Sequence, residues 1–360
     1  MKIGIITFSA SDNYGALLQA YALQKYISGL GNKAYIVDYR PEYKLRNYKP
    51  FRLDRWLSKN PVKTIIKIKE EAPKCICRWL RHKRAADFRK QYLNFYPYKE
   101  GMNFHEFDAI ILGSDQIWNP RNTNNHLEDI FWGVGAKCKV ISYAPSMGRS
   151  ILDDSEKAYI AAALGNIDYI SVRESSMIDI LQPLTTKKIT QVIDPTYLVG
   201  KKIFERIIEK PLIKDSYFLL FDLFERESTY LFAKQLADRN NCRLIRLQGT
   251  VSYPFWEKDT IQTASVGGFL GLIKGAKCII TSSFHATAFS IIFNRQFYCI
   301  KQNSPIDLRV NSVLNSLDLS DRLIDDTERI VLTAIDYKQI EDKIAELSLQ
   351  SKIFLNEALS

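Results

Sequence analysis

Five short stretches carry side chains able to do chemistry. Ser282-Ser283-Phe284-His285-Ala286-Thr287 places an imidazole among hydroxyl residues, after the apolar run Cys278-Ile279-Ile280 and before an apolar helix. A histidine so placed can accept and return a proton near neutral pH, though a lone histidine is more often structural. Gly113-Ser114-Asp115-Gln116-Ile117-Trp118-Asn119-Pro120 gathers a carboxylate, an amide and an indole. Asp115 can take a proton from a hydroxyl or simply hold a turn, and Trp118 can stack on a ligand or fill a core. Asp12-Asn13-Tyr14-Gly15 opens a helix, whose first N–H groups favour an anion, although Asp12 can equally cap that helix. Ser171-Val172-Arg173-Glu174 sets a guanidinium beside a carboxylate, either as an anion clamp or as a structural ion pair. Pro145-Ser146-Met147-Gly148-Arg149 is a fifth polar cluster.

These stretches need a scaffold, and the flanking patterns predict one. Near-continuous apolar runs, as expected of buried parallel strands, cover 2–8, 33–39, 108–112, 139–144, 169–172 and 189–193. A second set follows at 217–221, 243–247, 278–281 and 297–300. Helical periodicity lies between them at 16–29, 154–164, 228–240 and 287–293, and again at 336–359. Strand–helix alternation of this kind predicts an α/β fold of two doubly wound, Rossmann-like domains facing a cleft. The expected boundaries are 1–195, 196–335, and a final helix, 336–360, that can cross back to the first domain. In such sheets ligands bind beyond the carboxyl ends of strands, where the polar stretches fall. Neither G-x-G-x-x-G nor G-x-x-x-x-G-K-[ST] is present, so the usual nucleotide fingerprints are missing.

Residues 43–95 interrupt the alternation as a basic, helix-prone insertion. The net charge of +10 is concentrated there: residues 40–90 hold 17 Lys and Arg against 5 Asp and Glu, and the remaining chain holds 33 against 35. Trp56, Leu57, Ile65, Ile66, Ile68, Trp79 and Leu80 lie among those charges. The insertion can pack on the first domain, and its composition also suits an anionic membrane surface. A nucleic-acid partner is not expected, since no reader motif accompanies the charge. Six scattered cysteines and four dispersed histidines point to reduced thiols and no metal. No uncharged apolar run is long enough to span a bilayer, and the N-terminus reads as a strand rather than a leader; a cytoplasmic or peripheral protein is expected.

Four blocks together resemble the polysaccharide pyruvyl transferase family: Asp12-Asn13-Tyr14-Gly15-Ala16 with Gln19, Gly113 to Asn119, Ser171 to Glu174, and Ser282 to Ala286. The resemblance spans about residues 2–322. It implies a fold similar to the B-type glycosyltransferases, phosphoenolpyruvate as donor co-substrate, a glycan or lipid-linked sugar as acceptor, and no metal or nucleotide cofactor. Members with an Arg two residues before the motif His use it for the donor. Ser283 stands there instead, and Arg309 is the candidate replacement. The resemblance makes His285 and Asp115 the acid/base candidates. Arg173, Ser282, Ser283, Thr287 and Arg309 become donor-binding candidates, and Asp12, Asn13, Tyr14, Gln116 and Trp118 acceptor-binding ones. Two readings compete with it: a nucleotide-sugar glycosyltransferase on the same fold, and a non-enzymatic nucleic-acid-binding or envelope-assembly scaffold protein.

Overall fold

The computed structural model describes residues 1–51, 60–148, 151–211, 213–253, 256–303, 307–325 and 332–360. Trp56, Leu57 and Arg149 lie outside the described residues. The first sheet is built from β1 (Lys2–Ile6), β2 (Lys33–Val37), β3 (Phe95–Tyr96), β4 (Ala109–Leu112) and β5 (Lys139–Ser142), in the order β3-β2-β1-β4-β5 and wholly parallel. A parallel pair, β6 (Ile170–Val172) and β7 (Ile189–Gln191), continues past β5 through a bridge between Ile141 and Tyr169. The second sheet comprises β8 (Tyr217–Phe221), β9 (Arg243–Leu247), β10 (Thr260–Ile261), β11 (Cys278–Thr281), β12 (Gln296–Ile300) and β13 (Leu323–Ile324). Its order is β10-β9-β8-β11-β12-β13, again parallel throughout. The chain is therefore α/β with two Rossmann-like sheets. The central strands are buried on both faces, so their sequences run apolar without alternation, as in Ala-Ile-Ile-Leu of β4 and Cys-Ile-Ile-Thr of β11.

The helices of the first half are α1 (Tyr14–Gly29), α2 (Glu42–Tyr48), α3 (Pro61–Tyr92), α4 (Asp154–Gly165) and α5 (Ser176–Leu181). Those that follow are α6 (Lys201–Glu205), α7 (Glu227–Arg239), α8 (Val266–Gly275), α9 (Phe284–Ile292), α10 (Asp307–Ser316) and α11 (Tyr337–Leu359). The interrupting segment is thus largely one helix, α3, of 32 residues. Asn60 caps its N-terminus by accepting from the Val62 and Lys63 amides. α11 returns to the first half: Lys139 Nζ donates to the Ala358 carbonyl at 3.2 Å and the Ile193 amide to Ser351 Oγ at 3.0 Å.

The two halves share a core. Ile3, Leu17 and Leu18 of the first belong to one buried cluster with Phe269 and Phe289 of the second. α1 makes the join: Tyr14 stacks on Phe269 with ring centroids 4.8 Å apart and donates to the Ala264 carbonyl at 3.1 Å. α3 adds a second join along the cleft mouth. Arg81 Nη1 donates to the Gln248 carbonyl at 2.8 Å, Arg84 bonds the Thr263 carbonyl, and Arg89 Nη2 holds Asp12 at 2.8 Å.

Candidate active site

Each sheet reverses its strand order once, between β1 and β4 in the first and between β8 and β11 in the second. Loops leaving two such strands run in opposite directions and open a crevice. The two crevices face each other and form a cleft of about 370 Å³. The first half contributes Asp12, Asn13, Tyr14, Gly15, Asp115 and Gln116, and the second Ser283, Phe284, His285 and Arg309. Gln19 steadies the first wall by donating to Thr7 Oγ1 at 2.8 Å.

His285 sits in the first turn of α9, three residues earlier than the helix start expected from periodicity. The cause is Ser283, whose hydroxyl caps the helix by accepting from the Ala286 amide. The imidazole reaches across to the first half and lies flat against Gly15. A Cβ at that glycine would stand 2.1 Å from Nδ1. Nε2 is buried without a hydrogen-bond partner, 3.8 Å from Asp194 Oδ2. Burial lowers the His285 pKa, and Arg173 and Arg309 lower it further; Asp194 and Asp115 oppose them without prevailing. Burial opposes ionisation of Asp194, but His285, Arg173 and Thr196 outweigh it and hold the carboxyl below its usual range. Asp194 also accepts from Ser114 Oγ, Thr196 and Arg173, so it knots three loops together directly behind the imidazole.

The structure places Arg173 away from the cleft. Its guanidinium pairs with Glu174 and Asp194, both at 2.9 Å, and packs 4.4 Å from the Phe284 ring centroid. It lies behind His285, lining a separate void of about 80 Å³ rather than the cleft. Glu174 and Asp194 raise its pKa against burial. Two carboxylates already hold this cation, and its Nη2 is buried without a hydrogen-bond partner.

Arg309, on α10, is the cation that faces the cleft. Among the described residues no carboxylate pairs with it. The Gln116 amide, turned to present its oxygen, accepts from Nε at 3.0 Å and Nη2 at 3.1 Å. Burial, with Arg173 adding to it, pulls the Arg309 pKa down to about 10. Lys44 of α2 joins it on the cleft wall. Its ammonium stands 3.7 Å over the Phe8 ring, and burial lowers its pKa to about 8 against the pull of Asp115 and Glu128. Asp115 faces these cations from a left-handed backbone conformation, φ 77°, that is strained for a residue with a side chain.

The remaining expectations divide. Ser283 and Asn13 line the cleft, each also capping a helix. Tyr14 lines it as well, with its hydroxyl committed to Ala264. Asp12 touches the cleft, but its carboxylate is taken by Arg89 and His82. Ser282 donates to Asp222 and accepts from the Leu223 amide, tying two loops of the second half together. Thr287 is fully buried, and both its amide and its hydroxyl donate to the Ser283 carbonyl, so it offers nothing to an anion. Trp118 leaves the site: it is fully buried, stacks on Trp132 at 4.2 Å and donates to the Phe131 carbonyl. Sequence reasoning missed Lys44, Tyr48 and Arg81 on the cleft wall, and Asp194 behind it. The charge of the insertion was the signal for Lys44 and Arg81; Tyr48 and Asp194 carried none. Among the described residues no cluster of three or more His, Cys, Asp or Glu is placed to hold a metal, and all six cysteines are free.

In comparisons with known proteins, the family profile described as "Polysaccharide pyruvyl transferase" matches residues 13–304. No curated protein matches the chain. Solved structures with a similar layout include the UDP-N-acetylglucosamine 2-epimerase of Rickettsia bellii, 12% identical, TM-score 0.49, covering 100% of this chain and 96% of that one. The UDP-GlcNAc 2-epimerase of Methanocaldococcus jannaschii is 11% identical, TM-score 0.46, with 96% and 92% covered. The glycosyltransferase SnogD of Streptomyces nogalater is 8% identical, TM-score 0.43, with 98% and 95% covered.

Proposed function

The chain belongs to the polysaccharide pyruvyl transferase family, and from that premise we propose that it moves the enolpyruvyl unit of phosphoenolpyruvate onto two hydroxyls of a glycan or lipid-linked sugar as a cyclic ketal. The observation that carries this reading is a buried imidazole with an unpartnered nitrogen on a cleft that also holds Arg309 and Lys44. Phosphoenolpyruvate brings a phosphate and a carboxylate, both anionic at neutral pH. Arg309 and Lys44 are the groups that answer those charges.

The donor's charges act on His285 as well. Anions arriving beside the imidazole oppose the lowering that burial causes, so the ring holds a proton while the donor is bound. His285 then gives that proton to the donor's methylene carbon, which becomes a methyl group, and the adjoining carbon becomes electrophilic. A first sugar hydroxyl forms a C–O bond there and loses its proton to Asp115 or to the now neutral His285. The bond between that carbon and the phosphate oxygen breaks, and phosphate leaves with the electron pair. A second hydroxyl closes the ketal and loses its proton to the same bases. Of the two hydroxyl protons, one replaces the proton given to carbon and the other leaves on phosphate. Arg173 and Asp194 fix the imidazole throughout without touching substrate.

Incubation with phosphoenolpyruvate and candidate glycans or lipid-linked sugars, read by phosphate release and mass spectrometry, tests the proposal. The expected product is acceptor plus the elements of pyruvic acid less water, with one phosphate released for each ketal. Thermal stabilisation by a UDP-sugar and none by phosphoenolpyruvate, with no phosphate released, would overturn it.

A further inference from the structure

We propose that the free end of α3 docks on an anionic phospholipid leaflet and so holds the cleft over its acceptor. The claim about the acceptor rests on the function proposed above; the claim about the leaflet does not. α3 has two unlike ends. Its C-terminal part is fastened to both halves of the molecule through Arg81, Arg84 and Arg89, and Arg81 lines the cleft. Its N-terminal part is largely exposed among the described residues. Val62, Ile65 and Ile66 are 62%, 66% and 50% exposed, and Ile76, further along, is 57% exposed. At about 100° per residue Val62, Ile65 and Ile66 fall within one arc of about 100°, an aliphatic patch on the first turns of α3 that faces water, and Ile76 returns to the same side beyond Lys69 and Pro73. Single exposed apolar side chains are ordinary on any protein; a patch of them on one helix is not.

Charge identifies the occupant. Lys63 and Lys67 stand exposed beside the patch and Lys69 just beyond it, with Glu70 the acidic residue among them, in a segment whose residues 40–90 carry 17 basic against 5 acidic residues. Aliphatic side chains flanked by lysines whose stems can lie along them match the boundary of an anionic bilayer, where the patch enters the acyl edge and the ammonium groups meet phosphates. Nucleic acid would leave the isoleucines in water. Position supplies the purpose. Val62 and Arg81 are separated by 19 residues of one helix, about 28 Å at 1.5 Å per residue. The arm therefore links the cleft wall to the surface it would rest on. Among the described residues no helix is long and apolar enough to cross a membrane, so contact through this arm would be reversible.

The test is co-sedimentation of the full chain with vesicles of phosphatidylcholine alone or of phosphatidylcholine with phosphatidylglycerol, at about 0.1 M and 1 M salt. Over that range the Debye length falls from about 10 Å to about 3 Å. Binding should be at least about tenfold stronger to the anionic vesicles, and most of it should be lost at high salt. Lys63→Glu/Lys67→Glu/Lys69→Glu should weaken it about tenfold or more. Ile65→Ser/Ile66→Ser should weaken it at both salt concentrations. All five side chains are exposed, so neither variant should shift the melting temperature. Equal binding to both vesicle types, no binding, or binding indifferent to the lysine variant would overturn the proposal; the second result would leave the patch as a docking face for a protein. Transfer to a water-soluble glycan separates the two claims: the lysine variant should keep that activity. An enzyme that binds anionic vesicles as described yet never releases phosphate from phosphoenolpyruvate would keep the docking surface and lose the proposed reaction.

Discussion

Replacing Gly15 with alanine tests the placement of His285 without touching the imidazole itself. The added Cβ would lie 2.1 Å from Nδ1, 2.3 Å from Cγ and 2.8 Å from the His285 Cβ. Contacts below 3.0 Å do not persist, so the ring or the loop must move by about an ångström. The ring has little room to yield, with Phe284 beside it and Asp194, itself tied to Arg173, behind it. Overpacking of this kind costs about 1–3 kcal/mol of stability. Displacing a reacting group by about 1 Å costs about a hundredfold in rate. Gly15→Ala should therefore fold with a melting temperature lower by a few degrees and transfer pyruvate about a hundredfold more slowly. The assay is phosphate release under saturating donor, alongside thermal unfolding. A double-mutant cycle identifies the target: in a His285→Ala background, itself inactive, Gly15→Ala should cost much less stability, because the clash is gone. Turnover within about twofold of the unmodified enzyme, or a stability loss unchanged in the His285→Ala background, would refute the reasoning.

Arg309→Ala should raise the donor dissociation constant about tenfold or more, since a charge-assisted bond contributes about 1.5–3 kcal/mol; titration calorimetry with phosphoenolpyruvate measures it. Arg173→Ala should act chiefly on stability, because it leaves Glu174 and Asp194 buried and unpaired at a cost of about 3–5 kcal/mol. A large fall in melting temperature with a smaller change in donor affinity is expected, whereas intact stability with lost donor binding would restore Arg173 as the clamp. Donor affinity should decline as pH rises through about 8, the value to which burial lowers Lys44, because the ammonium loses its charge there. Binding curves from pH about 6.5 to 9 should show that decline, and Lys44→Arg should remove the part centred near pH 8, leaving the part set by protonation of His285.

The fold was legible because buried parallel strands announce themselves. Tyr217–Phe221, Arg243–Leu247 and Cys278–Thr281 appear at the bounds their apolar runs predict. Strand ends were read too long where loop residues are buried for other reasons: β1 stops at Ile6, and Thr7 and Phe8 already belong to the loop that borders the cleft. β3, β10 and β13 have two residues each, too few to make a pattern. α8 was missed because Gly267, Gly268, Gly271 and Gly275 weaken its helical signal. The backbone of Glu209 passes where a side chain at Gly271 would lie, and that is a tertiary fact. The polar blocks were found because they follow strands. Which residue of a block turns toward the cleft was not readable, since ion pairing decides it. Arg173 and Arg309 look alike in sequence, and only the partners Glu174 and Asp194 separate the buried brace from the free cation.

The contact between Gly15 and His285 also bears on how such chains can be recombined. The imidazole proposed as the acid/base group belongs to the second half, but the hollow that receives it is the absence of a side chain in the first. A hybrid that joins the first half of one relative to the second half of another would inherit a working acid/base group only if the receiving loop kept its glycine. Sheets, caps and core could all match, and the hybrid would still fold into an inactive protein. The two halves thus fit each other at this pair of residues, beyond their shared core. Shuffled libraries should show it as survivors that keep glycine at position 15 wherever they keep histidine at 285.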